Sequence, residues 1–458
     1  MGKTIWTEWK QSLGQGARAL LLAGSITLAA GADTAEKAIP EIAEVIRASV
    51  KDGKLAYRLT TPEELRELLG PSIQERKGRE GDLETLALEF SEVEAGFARM
   101  RELPGAFTLF WLKVQGQLLD IGRGRQMVLR TEGDLKKLDP FWGLADVSLA
   151  KLDLRAHLQQ LKSMSFNSLT VWPGPDRLPE GFDPARLLEE GKTPGLGVRQ
   201  LHASGIDGRD VGIAIIDQPL LCDHEDYKDR IVRYEPVDVA GVPPQMHGPA
   251  VASIAVGKAC GVAPKAALYF FAVPTWKWRE NKPWAEQLEQ IVELNTSLKD
   301  TPKIRVVSVS LGAFSQRPQF ELWQKALKLA EDNGILVVTC DPEFLRIGTL
   351  KRIESRSGQD ASDYEGGRYF HQGASLCIPA ANRTIASSKG PQAYTYDRLG
   401  GMSWTVPYLA GLAALAWQID PTIEPKQMVQ LWRQTATKTQ TGPVVNPTAF
   451  IDAVKQRR

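Results

Sequence analysis

Asp217, His247 and Ser403 carry a carboxylate, an imidazole and a hydroxyl. Together these groups can make an alcohol nucleophilic at neutral pH: the imidazole takes the hydroxyl proton, and the carboxylate fixes the imidazole and balances its charge. The chain order Asp, His, Ser is one of the orders in which such a triad recurs. Taken singly, each residue also has a structural reading. Asp217 can cap a turn, His247 can be a satisfied polar core residue, and Ser403 can be an N-cap.

The flanking sequence puts all three at element ends. Val211-Gly212-Ile213-Ala214-Ile215-Ile216 is an apolar run without alternation that stops at Asp217, as expected of a strand buried on both faces. His247-Gly248-Pro249 opens a small, apolar helical stretch, with Pro249 suited to the first turn. Ser403 follows a glycine turn and precedes the apolar run around Ala413-Ala414-Leu415-Ala416. There the first N–H groups of a helix and its dipole face whatever binds.

Around these ends, strand and helix patterns alternate. Strands are predicted at 267–273, 304–309 and 335–339, and helices at 251–256, 284–298 and 320–332. That repetition predicts an α/β fold with a mainly parallel sheet flanked by helices over 195–458, with ligands at the carboxyl ends of the strands. Residues 1–160 read as a smaller α+β domain. It has an amphipathic helix at Ala35–Val50, a helix start at Thr61-Pro62-Glu63-Glu64, and strand-like pieces at 86–90, 107–112 and 126–129. Between them, 161–194 is a connector punctuated by proline and glycine.

The 458 residues are 43% hydrophobic and 24% charged, with a formal net charge of +1. This balance marks neither a nucleic-acid nor a membrane-surface binder, and no apolar run is long enough to span a bilayer. Ala19–Ala30 is a short apolar block after Lys3, Lys10 and Arg18. With a cleavage-like Ala30-Gly31-Ala32 it resembles a weak signal peptide over 19–32. Glu8 and the long leading region favour an ordinary helix and an intracellular protein. Cys222, Cys260, Cys340 and Cys377 form no CxxC pair and read as small buried hydrophobes, with a Cys340–Cys377 contact left open.

Six blocks in order carry a resemblance to the subtilases, the subtilisin-like serine peptidases. They are Ser204–Asp217, His224-Glu225-Asp226-Tyr227, His247-Gly248, Gly261-Val262-Ala263-Pro264-Lys265-Ala266, Val307–Gly312, and Gly401-x-Ser403-x-x-x-Pro407-x-x-Ala410-Gly411. The resemblance implies a serine endopeptidase acting on polypeptides with Asp217, His247 and Ser403 as catalytic triad. Ser310, Leu311 and Gly312 would line the substrate cleft. No cofactor is required. Calcium is frequent in the family, and Asp360, Asp363 and Glu365 are acidic residues that could hold it, without EF-hand spacing.

The departures are equally specific. Asp217-Gln218-Pro219, His247-Gly248-Pro249 and Gly401-Met402-Ser403-Trp404-Thr405 stand where Asp-Thr-Gly, His-Gly-Thr and Gly-Thr-Ser-Met-Ala are usual. The usual oxyanion asparagine is missing after the 335–339 strand. Asp341, if protonated, and Asn382 are the candidates left for its place. These changes keep a second reading open, a catalytically silent subtilase-like protein that binds peptides or regulates. Residues 1–160 then read as a pro-segment or as a separate regulatory domain.

Overall fold

The chain divides into two units, Met1–Phe182 and Asp183–Arg458. The computed structural model describes residues 32–70, 73–80, 83–122 and 125–457. The apolar block at 19–30 lies outside the described residues. Among the described residues no helix is long and apolar enough to cross a membrane.

The described part of the first unit opens with α1 (Ala32–Lys51) and α2 (Pro62–Leu69). The start of α2 is set as its sequence predicts. Thr61 Oγ1 accepts the Glu64 N–H at 3.3 Å, and Glu64 Oε2 accepts the Thr61 N–H at 2.8 Å. This reciprocal cap satisfies two donors that a helix end would otherwise orphan. An antiparallel sheet follows in sequential order: β1 (Gln74–Glu80), β2 (Leu83–Phe90), β3 (Val93–Met100), β4 (Thr108–Val114) and β5 (Gln117–Leu118). Leu65, Leu88, Phe97, Leu109 and Leu112 form its fully buried centre. Strand β1 reads QERKGRE and has no apolar alternation to announce it. It forms because it lies at the sheet edge, where its side chains stay in water and Arg76 pairs with Glu89 at 2.8 Å. The strand expected at 126–129 shrinks to Met127–Val128.

The second unit begins with α3 (Pro184–Glu190) and α4 (Val198–Ala203). Its main sheet comprises β6 (Gly212–Asp217), β7 (Ile231–Pro236), β8 (Ala267–Ala272), β9 (Ile304–Val309) and β10 (Leu336–Thr339). The spatial order is β7-β8-β6-β9-β10, and every pairing is parallel. Strand β6 is buried along its whole length, which is why its sequence does not alternate. Ile213 and Ile215 point into one core and Ala214 and Ile216 into the other.

Helices α5 (His247–Val256) and α8 (Thr405–Ile419) fill the first of these cores. Helices α6 (Lys282–Ser297) and α7 (Phe320–Asp332) fill the second. Helix α8 is apolar all round because it is covered all round, buried from Thr405 to Trp417. Leu409, Leu412 and Leu415 are fully buried, and truncating any one to alanine would cost about 2–5 kcal/mol. Gly411 is needed on this helix, since a Cβ there would meet Val262 Cβ at 2.6 Å.

Residues 347–397 hold strands that the polar sequence of 351–368 does not announce. They form β11 (Ile347–Arg352), β12 (Tyr364–Gly366) and β13 (Leu376–Ala381), then the antiparallel pair β14 (Arg383–Ala386) and β15 (Tyr394–Asp397). Their strands are short, and the ends of β11 and β12 carry charge, as in the Lys351–Glu365 pair at 3.3 Å. Periodicity is therefore weak there. The four cysteines are all free, so the contact left open between Cys340 and Cys377 is not a disulfide.

Candidate active site

The strand order places a cleft at the carboxyl ends of β6 and β9. From β6 the chain leaves toward β7 and β8 on one side, and β9 continues to β10 on the other. Adjacent parallel strands whose connections diverge leave a crevice between them. Here the crevice is about 160 Å³, and Asp217, Gln218, His247, Thr275, Ser310 and Leu311 are among its walls.

Asp217 is the last residue of β6 and is 2% exposed. Its Oδ1 accepts the Gln218 N–H at 2.7 Å and faces His247 Nδ1 at 2.7 Å. An ionised carboxylate only accepts, so the imidazole proton sits on Nδ1 and the Nε2 lone pair is left free. Two forces act on the His247 ring. Burial pulls its pKa down, while the charge of Asp217 and the hydrogen bond to it push it up, and the net shift is upward from the ordinary imidazole value.

His247 is the first residue of α5, and everything after it in that helix is buried. The approach of the helix to β6 depends on Gly248, because a Cβ there would stand 2.2 Å from the Gln218 carbonyl oxygen. The pair His247-Gly248 is therefore one device: the glycine brings the helix end in, and the histidine occupies the end.

Ser403 lies in the 3₁₀ turn Met402–Trp404, immediately before α8. The turn packs against α5. Two bonds tie it to the end of β9: Ser310 Oγ donates to the Ser403 carbonyl at 2.9 Å, and Ser403 Oγ donates to the Ser310 carbonyl at 3.4 Å. The second is longer than an ordinary hydroxyl hydrogen bond. The hydroxyl thus rests weakly on Ser310 and is not hydrogen-bonded to His247. Trp404, the next residue, is the neighbour of the imidazole. Its ring centroid is 5.1 Å from that of His247 at an interplanar angle of 34°. No sequence pattern assigned this contact; the only signal was tryptophan where the family usually has methionine.

The other expected site residues divide. Ser310 and Leu311 reach the cleft. The Leu311 N–H is turned onto the Val309 carbonyl at 2.7 Å and its carbonyl accepts the Cys340 N–H at 2.9 Å, so Leu311 presents its side chain and not a free backbone edge. Gly312 packs against the Cys340 backbone.

Both oxyanion candidates hold other contacts. The Asp341 carboxyl accepts the Phe314 N–H at 3.0 Å, so it serves as an acceptor that fixes a turn. Asn382 lies between β13 and β14, and its Nδ2 donates to the Arg352 carbonyl at 2.7 Å. Neither residue lines the cleft. The acidic residues considered for calcium are also committed. Asp363 Oδ2 accepts the Ser357 hydroxyl at 2.8 Å and the Gln359 N–H at 3.1 Å, and Glu365 pairs with Lys351. Among the described residues no three His, Cys, Asp or Glu side chains converge on one point.

Residues 208–341 match the family model described as the subtilase family. The matched stretch contains Asp217 and His247 and ends before Ser403. The chain is similar to the subtilisin-like protease PopC of Myxococcus xanthus (strain DK1622), 26% identical over 258 residues that cover 48% of this chain and 54% of PopC. The chain thus spans about half the length of that relative. Among solved structures it is similar to the subtilase cytotoxin SubAB, at 14% identity and a TM-score of 0.46, covering 58% of this chain and 96% of that one. It is also similar to the prenylagaramide maturation protease PagA, at 17% identity and a TM-score of 0.42, covering 56% and 98%.

Proposed function

We propose that this chain, a divergent member of the subtilase family, is a serine endopeptidase with Asp217, His247 and Ser403 as its catalytic residues. The observation that carries the reading is the Asp217–His247 hydrogen bond of 2.7 Å at the wall of a cleft. It leaves Nε2 as a base, on a helix that packs against the turn holding Ser403.

In this reading an extended polypeptide enters the cleft along the end of β9. Ser403 swings off the Ser310 carbonyl, which a 3.4 Å contact resists only weakly. Its Oγ attacks the scissile carbonyl carbon while His247 Nε2 takes the hydroxyl proton. Asp217 holds the ring in the required tautomer and stabilises the imidazolium. The tetrahedral intermediate collapses as the imidazolium gives that proton to the leaving amine, and an acyl-enzyme remains. Water then attacks the ester with His247 again as base, and Ser403 is regenerated. The Ser403 N–H, next to the positive end of the α8 dipole, serves the developing oxyanion. Without the asparagine usual after the 335–339 strand, the turnover expected is about 10²–10³ below that of an enzyme with the full pair of donors.

A second reading has its own observation. The Ser403 hydroxyl bonds to Ser310 and not to His247, which suits a silent relative that binds peptides without cleaving them. Labelling by a fluorophosphonate separates the two. Adduct on the native protein that disappears in Ser403→Ala and His247→Ala supports the peptidase, and a native protein that stays unlabelled under conditions where it is folded removes it.

A further inference from the structure

Trp404 is 5% exposed and is held at both ends. Its indole Nε1–H donates to Asp397 Oδ2 at 2.6 Å, and its ring lies against the His247 imidazole, with centroids 5.1 Å apart and planes tilted by 34°. Asp397 is the last residue of β15, and its Oδ1 accepts the N–H groups of Leu399 and Gly400 at 3.1 and 3.2 Å. The carboxylate therefore anchors the turn leading into the Ser403 segment and, through the indole, reaches the imidazole.

We propose that Trp404 is a positioning residue for His247: pinned by Asp397, its ring holds the imidazole edge toward Asp217 and favours the imidazolium over the neutral ring. The inference rests on the peptidase reading above and deepens it. The face of an indole carries negative potential and attracts a cation stacked on it, more so when both are out of water. A carboxylate accepting the indole N–H pushes electron density into the ring and adds its own attraction. The imidazolium is the form His247 takes in the tetrahedral intermediate, so a ring that favours it favours the transition state. Asp217 and Trp404 then both hold the imidazole, one by charge at Nδ1 and one through the tilted contact with the indole ring. The other cleft side chains near it, Gln218, Thr275, Ser310 and Leu311, are uncharged. Cys340, electrostatically coupled to Asp217, stays a thiol, its pKa pushed up to about 12 by burial and then by the charges of Asp217 and Asp341.

The test uses the full chain and the variants Trp404→Leu, Trp404→Phe and Asp397→Asn. Two quantities are followed with pH: kcat/KM on a peptide substrate, and the NMR resonance of the His247 Nδ1 proton. Trp404→Leu should move the acid limb and the NMR midpoint down by about half a pH unit. It should lower kcat about threefold with little change in KM. Asp397→Asn, which keeps the ring, should move both midpoints the same way by less, and Trp404→Phe should fall between native and leucine. Loss of activity or thermal stability with both midpoints unmoved would overturn the proposal and leave Trp404 as packing alone. If Trp404→Leu does not fold, the Phe and Asn variants decide by the same midpoints. A native protein without fluorophosphonate adduct would instead overturn the peptidase reading, and the NMR midpoints would still decide whether the indole favours the imidazolium.

Discussion

Gly248 and Gln218 meet so closely that a Cβ on the glycine would stand 2.2 Å from the Gln218 carbonyl oxygen. That approach lets helix α5 deliver His247 to the end of β6. Gly248→Ala should push the helix back. The expected cost is about 1–3 kcal/mol of stability, from forcing atoms into a packed backbone contact. The Asp217–His247 bond should lengthen, and fluorophosphonate labelling should slow about 10²-fold, since a misplacement near 1 Å has that effect. Thermal unfolding and labelling rates on the same sample check both. Labelling at the native rate would show that the glycine serves packing only.

Asp217→Asn keeps the shape of the side chain and removes the charge. An amide can present an N–H to Nδ1, so the imidazole is free to turn its proton to Nε2, where it is useless as a base. Peptide hydrolysis should fall by about 10³–10⁴ in kcat with KM little changed. Burial would then act on the ring without the opposing carboxylate, and the His247 pKa should drop below its ordinary value. A pH series of single-turnover rates reads both effects.

His247 also links pH to activity and to stability. Activity needs the neutral ring, and its pKa is raised, so the acid limb of kcat/KM should lie above the ordinary imidazole value of 6.5. Stability runs the other way. The folded pKa lies above the unfolded one, so the ion pair with Asp217 stabilises fully below the unfolded value and is lost as pH rises through the folded value. The melting temperature of the native protein, relative to His247→Asn, should therefore decline as pH rises from below 6.5 through the region above it. A difference that is flat with pH would show that the pair gives no pH-linked stability.

Much of this was readable beforehand because burial writes itself into sequence. The unbroken apolar run of β6, the small residues of α5 and the apolar α8 each stated their environment, and the chemistry-bearing residues stand at their ends. What stayed hidden depends on contacts between segments. The polar strand β1 exists only because β2 offers it an edge. In 347–397, β12, β14 and β15 carry only three or four residues, and a proline interrupts the apolar run of β13. The Ser310–Ser403 tie and the Trp404–His247 contact join residues far apart in the chain, and no local pattern encodes them. Asp341 illustrates the same limit: its type and position after β10 made it an oxyanion candidate, and its contact with the Phe314 N–H could not be read from either segment alone.

The oxyanion assignment can be tested by substitution. Were Asn382 the oxyanion donor, removing its amide would cost about 10²–10³ in kcat. Its backbone sits at a φ of 54°, in the left-handed region, so Asn382→Gly deletes the amide without adding strain. The lost bond to the Arg352 carbonyl should cost about 1 kcal/mol of stability and change kcat less than about threefold. Asp341→Asn restores the amide type that the family usually has near this position. The side chain is engaged with the Phe314 N–H, so kcat should again stay within about threefold of native. A hundredfold loss in the first variant, or a rise of tenfold or more in the second, would put a side-chain amide back in the oxyanion site. Values near native in both leave the Ser403 N–H as the donor on which turnover depends.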